Sequence, residues 1–332
     1  MKILVVDDDQ IALAVAKKVL SSDGHSITLA EDGAEALEIL QRDDIQLVIS
    51  DWNMPNMDGI ELCRTLRKSS SIGYIYVIMI TARNSKEDML AGLEAGADDF
   101  ISKPFEPAEL LVRVRNAERV LALEMTKTTI FLMSKLAESK DPETGAHLER
   151  IRAYSRLLAQ QLLIHADFKE RVPHGFPDLL FETSPLHDCG KVGIPDSVLL
   201  KPGSLNDNEW VIMKQHTQIG AEVFEDSLKK YPGTEFLRLA RDIAWAHHER
   251  WDGTGYPRGL KGEEIPLCAR IVAVADVYDA ITSRRSYKSA RTHQVAVGII
   301  LEERGTHFDP LIVDVFSQVL PEFEAIQQQF QG

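Results

Sequence analysis

His247 and His248 stand side by side, and Glu249-Arg250-Trp251-Asp252-Gly253-Thr254-Gly255-Tyr256-Pro257 follows at once as an acidic, glycine-rich loop. Neutral imidazole is the commonest nitrogen ligand for first-row metals, and Gly253 and Gly255 allow a backbone to approach a ligand closely. A His-His pair alone is more often a capping or surface feature than a metal site. The C-terminal half shifts that balance. It also holds the adjacent pair His187-Asp188, then His216, Asp276, and Glu143 with His147 one helical turn apart. Asp276 follows the apolar run Ile271-Val272-Ala273-Val274-Ala275, where an uncompensated carboxylate is costly. His216 lies in an amphipathic pattern whose buried face is expected to carry Ile212, Ile219 and Val223; a lone histidine there is more often a satisfied core residue. Histidines and carboxylates without thiolate suit Fe, Mn, Zn or Ni and do not choose among them. Two such ions close together suit phosphodiester hydrolysis, and Lys191, just after the His-Asp pair, is spaced to neutralise a phosphate oxygen.

A second constellation occupies the N-terminal half. Asp7 and Asp8 follow one apolar run, Asp51 a second, Thr81 a third, and Lys103-Pro104 a fourth. Three converging carboxylates repel one another, and Mg²⁺, which takes carboxylate oxygens plus water, is the natural remedy. A hydroxyl and an ammonium beside them suit a transferred phosphoryl group whose charge needs stabilising. Any one of these residues is unremarkable at a loop start; all five together are not.

The elements that must hold these groups differ between the halves. Ile3-Leu4-Val5-Val6, Ser26–Ala30, Leu47–Ser50, Ile75–Ile80 and a weaker Asp99–Ser102 read as strands, most of them buried on both faces, separated by helical patterns such as Gly33–Leu40. Alternating βα units predict a doubly wound α/β fold, with ligands at the carboxyl ends of a parallel sheet. Beyond residue 125 the strands stop. Thr129–Ser139, His147–Ile164, Glu209–Asp226, Phe236–His248, Pro266–Thr282 and Thr292–Arg304 read as helices, and Cys189-Gly190-Lys191 as a short helical stretch. An all-α domain with a site built between helices is expected. In the connector, residues 107–140, Leu110, Val114, Ala117 and Leu121 recur at spacings of four, three and four. That pattern suits packing on the chain's own sheet or the first heptads of a helix paired with its twin in a dimer.

The chain has 332 residues, enough for two domains, and a net charge of −14, which argues against a DNA-wrapping role. Its three cysteines, Cys63, Cys189 and Cys268, are widely spaced and suggest neither a disulfide framework nor a thiolate zinc site. No signal-peptide pattern and no membrane-spanning apolar run is visible, so a cytoplasmic location without membrane attachment is expected.

The motifs V-V-D-D-D, S-D-W-N-M-P-N-M-D-G, M-I-T-A and S-K-P-F resemble the response-regulator receiver family over residues 1–120. The resemblance implies a flavodoxin-like (βα)5 fold with strand order 2-1-3-4-5 and Asp51 as phosphoacceptor. Asp7, Asp8, Asp51 and the Asn53 carbonyl would hold Mg²⁺; Thr81 and Lys103 would contact the phosphoryl oxygens, and Phe100 would be the aromatic switch. A sensor histidine kinase is the implied partner.

The motifs E-T-G-A-H, L-H-D-C-G-K-V-G-I-P-D, M-K-Q-H, H-H-E-R-W-D-G-T-G-Y-P-R-G-L and V-A-D-V-Y-D-A resemble the HD-GYP phosphodiesterases of the HD superfamily over residues 126–325. That family hydrolyses cyclic di-GMP to pGpG and in some members to GMP. By this resemblance His187, Asp188 and Asp276 would hold one metal, and Asp188 would bridge to a second held by His216, His247 and His248. Glu143 and His147 match the extra ligands of members with a third metal, so two or three divalent ions are implied, iron first and manganese as the alternative. His187, Asp188 and Lys191 would be catalytic. Gly255, Tyr256, Pro257, Arg258, Lys261 and Arg285 would shape the substrate pocket, and Gly255-Tyr256-Pro257 is alternatively a docking surface for diguanylate cyclases. Cys189 stands where an aliphatic residue is usual, and Ser286 where a proline is common. The expectation is a homodimeric response regulator whose phosphorylation controls cyclic di-GMP hydrolysis. The rival is a signalling scaffold that binds cyclic di-GMP or a cyclase with little turnover. Hydrolysis of another cyclic dinucleotide, the direction of control and the end product stay open.

Overall fold

Five short runs rich in Val, Ile and Leu form the strands β1 (Lys2–Val6), β2 (Ser26–Ala30), β3 (Leu47–Asp51), β4 (Tyr76–Thr81) and β5 (Asp99–Ser102). They pair in parallel in the order β2-β1-β3-β4-β5. Central strands β3 and β4 are buried throughout, as runs without polar alternation require, whereas edge strand β2 is partly exposed. This computed structural model describes residues 1–69, 73–81, 86–140, 146–164, 172–173, 175–283 and 290–330, with 86–89 as backbone alone. It divides into two units, Met1–Thr128 and Thr129–Gly332.

Helices α1 (Gln10–Ser22), α2 (Gly33–Arg42) and α3 (Gly59–Lys68) each start at an aspartate. The carboxylates of Asp9, Asp32 and Asp58 accept from the Ile11, Glu35 and Glu61 amides, satisfying donors that a helix N-terminus leaves open. Helix α4 (Lys86–Glu94) precedes β5. Apolar side chains fill both faces of the sheet: Leu4, Val48, Val77 and Leu62 on one, Ile3, Ile49, Ile78 and Leu13 on the other.

Helix α5 (Pro107–Glu138) is a single 32-residue helix over most of the connector read at 107–140. Its seam of Leu110, Val114, Ala117 and Leu121 is buried with Ile3, Val5, Ile49 and Ile78 of the sheet. Of the two readings of that seam, packing on the chain's own sheet is the one its burial supports. Those side chains are spent on the unit's own core.

In the second unit, helices Ala146–Leu162, Phe176–Thr183, Glu235–Ala246, Leu267–Thr282, His293–Glu302, Pro310–Phe316 and Leu320–Gln329 contribute to one core that includes Tyr154, Ile243, Tyr278, Phe316 and Phe323. Tyr154 stacks on Phe323 with centroids 4.5 Å apart. The long helix Asp207–Lys230 opens on a capping box between Asn206 and Glu209. His187 and Asp188 lie between two 3-10 turns, Ser184–Leu186 and Cys189–Gly193, where a short helical stretch was expected. No helix among the described residues is long and apolar enough to cross a membrane.

Candidate metal centre

The Asp207–Lys230 helix and the turn carrying Asp188 approach each other through a pair of glycines. A Cβ on Gly190 would collide with the His216 carbonyl oxygen, and one on Gly220 would meet Cys189 Sγ at 3.1 Å. This close packing brings Asp188 Oδ1 to 3.2 Å from His216 Nε2. His216 faces inward beside Thr217, Gly220 and Ala221; Val223, expected on the buried face, is 60% exposed. His247 caps the Glu235–Ala246 helix, where the buried face of Leu239, Ala240, Ile243 and Ala244 turns it inward, and its Nε2 lies 3.5 Å from Asp188 Oδ1. His248 follows, its ring centroid 4.0 Å from that of His247 and 5.2 Å from that of His216. Ligand atoms of Asp188, His216, His247 and His248 all lie within 4.8 Å of one another.

A second group, His147, His187 and Asp276, likewise has its ligand atoms within 4.8 Å of one another. Asp188 faces both groups. Its Oδ2 lies 3.3 Å from His187 Nε2 and 2.8 Å from Lys191 Nζ, while Oδ1 is turned to His216 and His247.

Each ring is held by its other nitrogen. Nδ1 of His187, His216 and His247 lies 2.9, 2.7 and 3.0 Å from the carbonyls of Ser184, Met213 and Ile243. A carbonyl only accepts, so Nδ1 carries the proton and a neutral ring presents a bare Nε2. The Nε2 atoms of these three histidines and Asp188 Oδ1 are buried without a hydrogen-bond partner. Several lone pairs directed into one buried volume suit a divalent cation, and the N/O donor set fits Fe, Mn or Zn. Burial pushes His187 down, but Asp188 outweighs it and raises the group to about 9, favouring on Nε2 a proton that a bound cation would displace; Asp188 itself is held well below the carboxylate range, its burial overcome by Lys191 and His187. Burial and the neighbouring rings hold His248 neutral.

The glycine-rich loop is tied to this centre by its backbone. A Cβ on Gly255 would land on the Arg250 amide nitrogen and 2.5 Å from Glu249 Cα. The close approach lets the Tyr256 amide donate to the His248 carbonyl at 3.2 Å and sets the two rings 4.8 Å apart. Buried Glu249 accepts from the amides of Arg258 (2.8 Å) and Leu260 (3.1 Å). Pro257 is exposed, the Arg258 guanidinium stands over Trp245, and Lys261 packs its chain near Gly253. Glu143, Arg285 and Ser286 lie outside the described residues.

At the carboxyl ends of the receiver strands, Asp7, Asp8 and Asp51 bring ligand atoms within 4.8 Å of one another. Lys103 Nζ lies 2.8 Å from Asp7 and 2.6 Å from Asp51, and the Asn53 amide donates to Asp51 at 3.1 Å. Burial pushes the Asp51 carboxyl up, only partly offset by Lys103. Thr81 ends β4, its carbonyl accepting from the Lys103 amide, and Phe100, on β5, is half-buried. The crevice between β1 and β3 is the switch point at which ligands bind in such sheets.

Three residues beyond those singled out from the sequence shape the centre. Asp279, buried on the helix turn after Asp276, lies 2.7 Å from His147 Nδ1 and accepts from Arg150 Nε at 2.5 Å. Arg150 is itself buried. Glu138, the last residue of α5, is also buried, with its carboxylate 3.6 Å from His147 Nε2. Asp279 is legible in hindsight, three residues after Asp276 in the motif V-A-D-V-Y-D-A and so on the same helix face.

Residues 3–115 match the response regulator receiver domain family, and residues 132–312 match the HD domain family. The chain is 39% identical to a probable cyclic di-GMP phosphodiesterase of Vibrio cholerae, over 99% of this chain and 80% of that protein. It is 37% identical to the cyclic di-GMP phosphodiesterase response regulator RpfG of Xanthomonas campestris, over 99% of this chain and 90% of that one. A 3'3'-cGAMP-specific phosphodiesterase 2 of V. cholerae is 36% identical over 68% of this chain and 40% of its own.

Proposed function

This chain belongs to the response regulators that join a receiver domain to an HD domain, and we propose that it is a metal-dependent cyclic di-GMP phosphodiesterase controlled through Asp51. The observation that carries the proposal is the pair of ligand groups joined at Asp188, with three buried Nε2 atoms turned into them. His187, Asp276 and His147, with Glu143 from the neighbouring segment, would hold one or two cations; Asp188, His216, His247 and His248 would hold another. Such ions supply Lewis acidity and activation of water near neutral pH.

The chain's own groups do the rest. Asp188 would span the two positions, one oxygen toward each. Backbone carbonyls at Ser184, Met213 and Ile243 fix the tautomers, so no ring must reorient as substrate arrives. Lys191 Nζ, already beside Asp188, would offer its ammonium to a non-bridging phosphate oxygen. The loop locked onto Glu249 would hold Tyr256 beside the reacting phosphodiester, with Arg258, Lys261 and Arg285 completing the pocket for the bases and phosphates.

In the receiver unit, Asp7, Asp8 and the Asn53 carbonyl would hold Mg²⁺ while a phosphoryl group on Asp51 is neutralised by Lys103 and bonded by Thr81. Phe100 would follow Thr81 as the switch. A sensor histidine kinase would be the phosphodonor. Self-association and cyclase docking at Gly255-Tyr256-Pro257 belong to the same reading.

The test is anaerobic turnover of cyclic di-GMP, with 3'3'-cGAMP as competitor, before and after chelation and with beryllofluoride bound. Activity abolished by chelation, restored by Fe(II) or Mn(II), and altered by beryllofluoride in wild type but not in Asp51→Ala supports the proposal. A metal-free chain with full activity contradicts the chemistry, and identical rates with and without beryllofluoride contradict the control.

A further inference from the structure

Lys214 sits in the motif M-K-Q-H that supplies His216, yet it has no part in the centre described above. The backbone around it is pinned. The Met213 carbonyl lies 2.7 Å from His216 Nδ1, and Thr217 Oγ1 donates to the Lys214 carbonyl at 2.9 Å. The side chain itself is exposed. The residues one helical turn away on either side, Trp210, Val211, Thr217 and Gln218, offer it no carboxylate. Elsewhere on this helix the usual pairing holds: Lys229 meets Asp226 at 2.7 Å, and Lys201 meets Glu209 at 2.6 Å. Among the described residues no carboxylate pairs with Lys214. Its Nζ stands instead over the Tyr256 ring, 4.9 Å from the centroid.

An ammonium so placed is open to an anion, although the chain as a whole carries a net charge of −14. Attraction to a ring limits the sweep of a flexible lysine without neutralising it. The same Tyr256 ring lies 4.8 Å from the ring of His248, so one aromatic side chain links Lys214 to the metal centre. Lys191, the cation inside that centre, is already 2.8 Å from Asp188.

A cyclic dinucleotide carries two phosphodiesters in one ring. The one under attack faces the metal ligands and Lys191. The other keeps its negative charge throughout the reaction and needs a cation of its own. Resting on the proposed phosphodiesterase function, we propose that Lys214 binds the second, unreacting phosphate of the substrate. Tyr256 then holds the ammonium at the rim of the centre before substrate arrives, and Lys214 selects for a cyclic dinucleotide over a single phosphodiester.

Lys214→Met keeps a stem that can lie on Tyr256 and removes the charge. The contact is the same in ground and transition states, so the KM for cyclic di-GMP should rise about tenfold while kcat and the count of bound metals hold. The Kd of a slowly cleaved bisphosphorothioate analogue of cyclic di-GMP, measured by titration calorimetry, should rise by the same factor. Lys214→Arg should restore most of both. As a competitor, 3'3'-cGAMP carries the same two phosphates and one different base, so its Ki should rise in step. Unchanged KM and Kd in Lys214→Met overturn the assignment. So does a rise confined to cyclic di-GMP, which would set Lys214 against a base, or a loss of bound metal, which would make its role structural. Each of these results leaves the proposed function standing; a fully metallated wild type without turnover overturns that function and this inference with it.

Discussion

Asp279→Asn removes one charge from a buried set of contacts in which His147 Nδ1, Arg150 Nε and Nη2, and Ser283 Oγ all meet a single carboxylate. An asparagine has one acceptor oxygen where the aspartate has two, so either His147 or Arg150 meets an amide N–H and loses its bond. Arg150, also buried, is left without its counter-charge. Breaking a buried pair by neutralising one partner costs roughly 3–5 kcal/mol. A unit of this size loses about 2–4 °C of Tm per kcal/mol, so calorimetry of the full chain should show the HD unit's transition lowered by about 6–20 °C. Loss of an outer partner that orients a ligand histidine weakens a metal site by about 10–100-fold, so the Mn²⁺ affinity of the His147 group should fall by that factor. Adding Arg150→Met to Asp279→Asn should recover part of the Tm and none of the Mn²⁺ affinity, because the stranded charge is gone while the histidine stays unheld. A Tm within about 2 °C of wild type, with unchanged Mn²⁺ binding, would refute the claim that this carboxylate positions His147.

Gly255→Ala forces backbone against backbone at Glu249 and Arg250; the KM for cyclic di-GMP should rise several-fold while the count of bound metals stays at the wild-type value. Glu249→Gln keeps one acceptor for the Arg258 and Leu260 amides, a loss of about 1–3 kcal/mol that should speed tryptic cleavage after exposed Arg258. His307 is lowered to about 4, by burial first and then by Arg250. Protonation therefore favours the unfolded chain: stability is complete above about pH 6.5 and falls by up to about 1.4 kcal/mol per pH unit toward pH 4. His307→Gln should flatten that part of the urea-midpoint profile, and an unchanged slope would contradict the reading.

Sequence pattern located the sheet well, because Ile3–Val6, Leu47–Ser50 and Ile75–Ile80 carry apolar runs too short for helices and flanked by aspartates and turns. It left two readings open where one pattern serves two partners. The Leu110, Val114, Ala117 and Leu121 spacing suits a twin helix and a sheet face equally, and only the packing decides. Helices Phe176–Thr183, Pro310–Phe316 and Leu320–Gln329 went unread because each carries a proline in its first turn, where proline is tolerated yet looks like a breaker. In the metal centre, residue type and motif singled out His187, Asp188, His216, His247, His248 and Asp276, which the fold brings together. The groups behind them were harder to see. Glu138 and His147 are separated by the S-K-D-P-E-T-G-A segment, and Asp279 reads as an ordinary helical carboxylate until Arg150 and His147 are seen to share it.

The central claim is that Asp188 joins two cation positions which together hydrolyse cyclic di-GMP. The most direct measurement is anaerobic turnover with metals quantified on the same samples, wild type beside Asp188→Ala, with acetyl-phosphate labelling of Asp51 as the control for an intact receiver. Wild-type hydrolysis to pGpG or GMP is expected, lost together with bound metal in Asp188→Ala while Asp51 still labels. A fully metallated wild type without turnover in either phosphorylation state, or an Asp188→Ala variant that keeps its metals and its rate, would contradict the account.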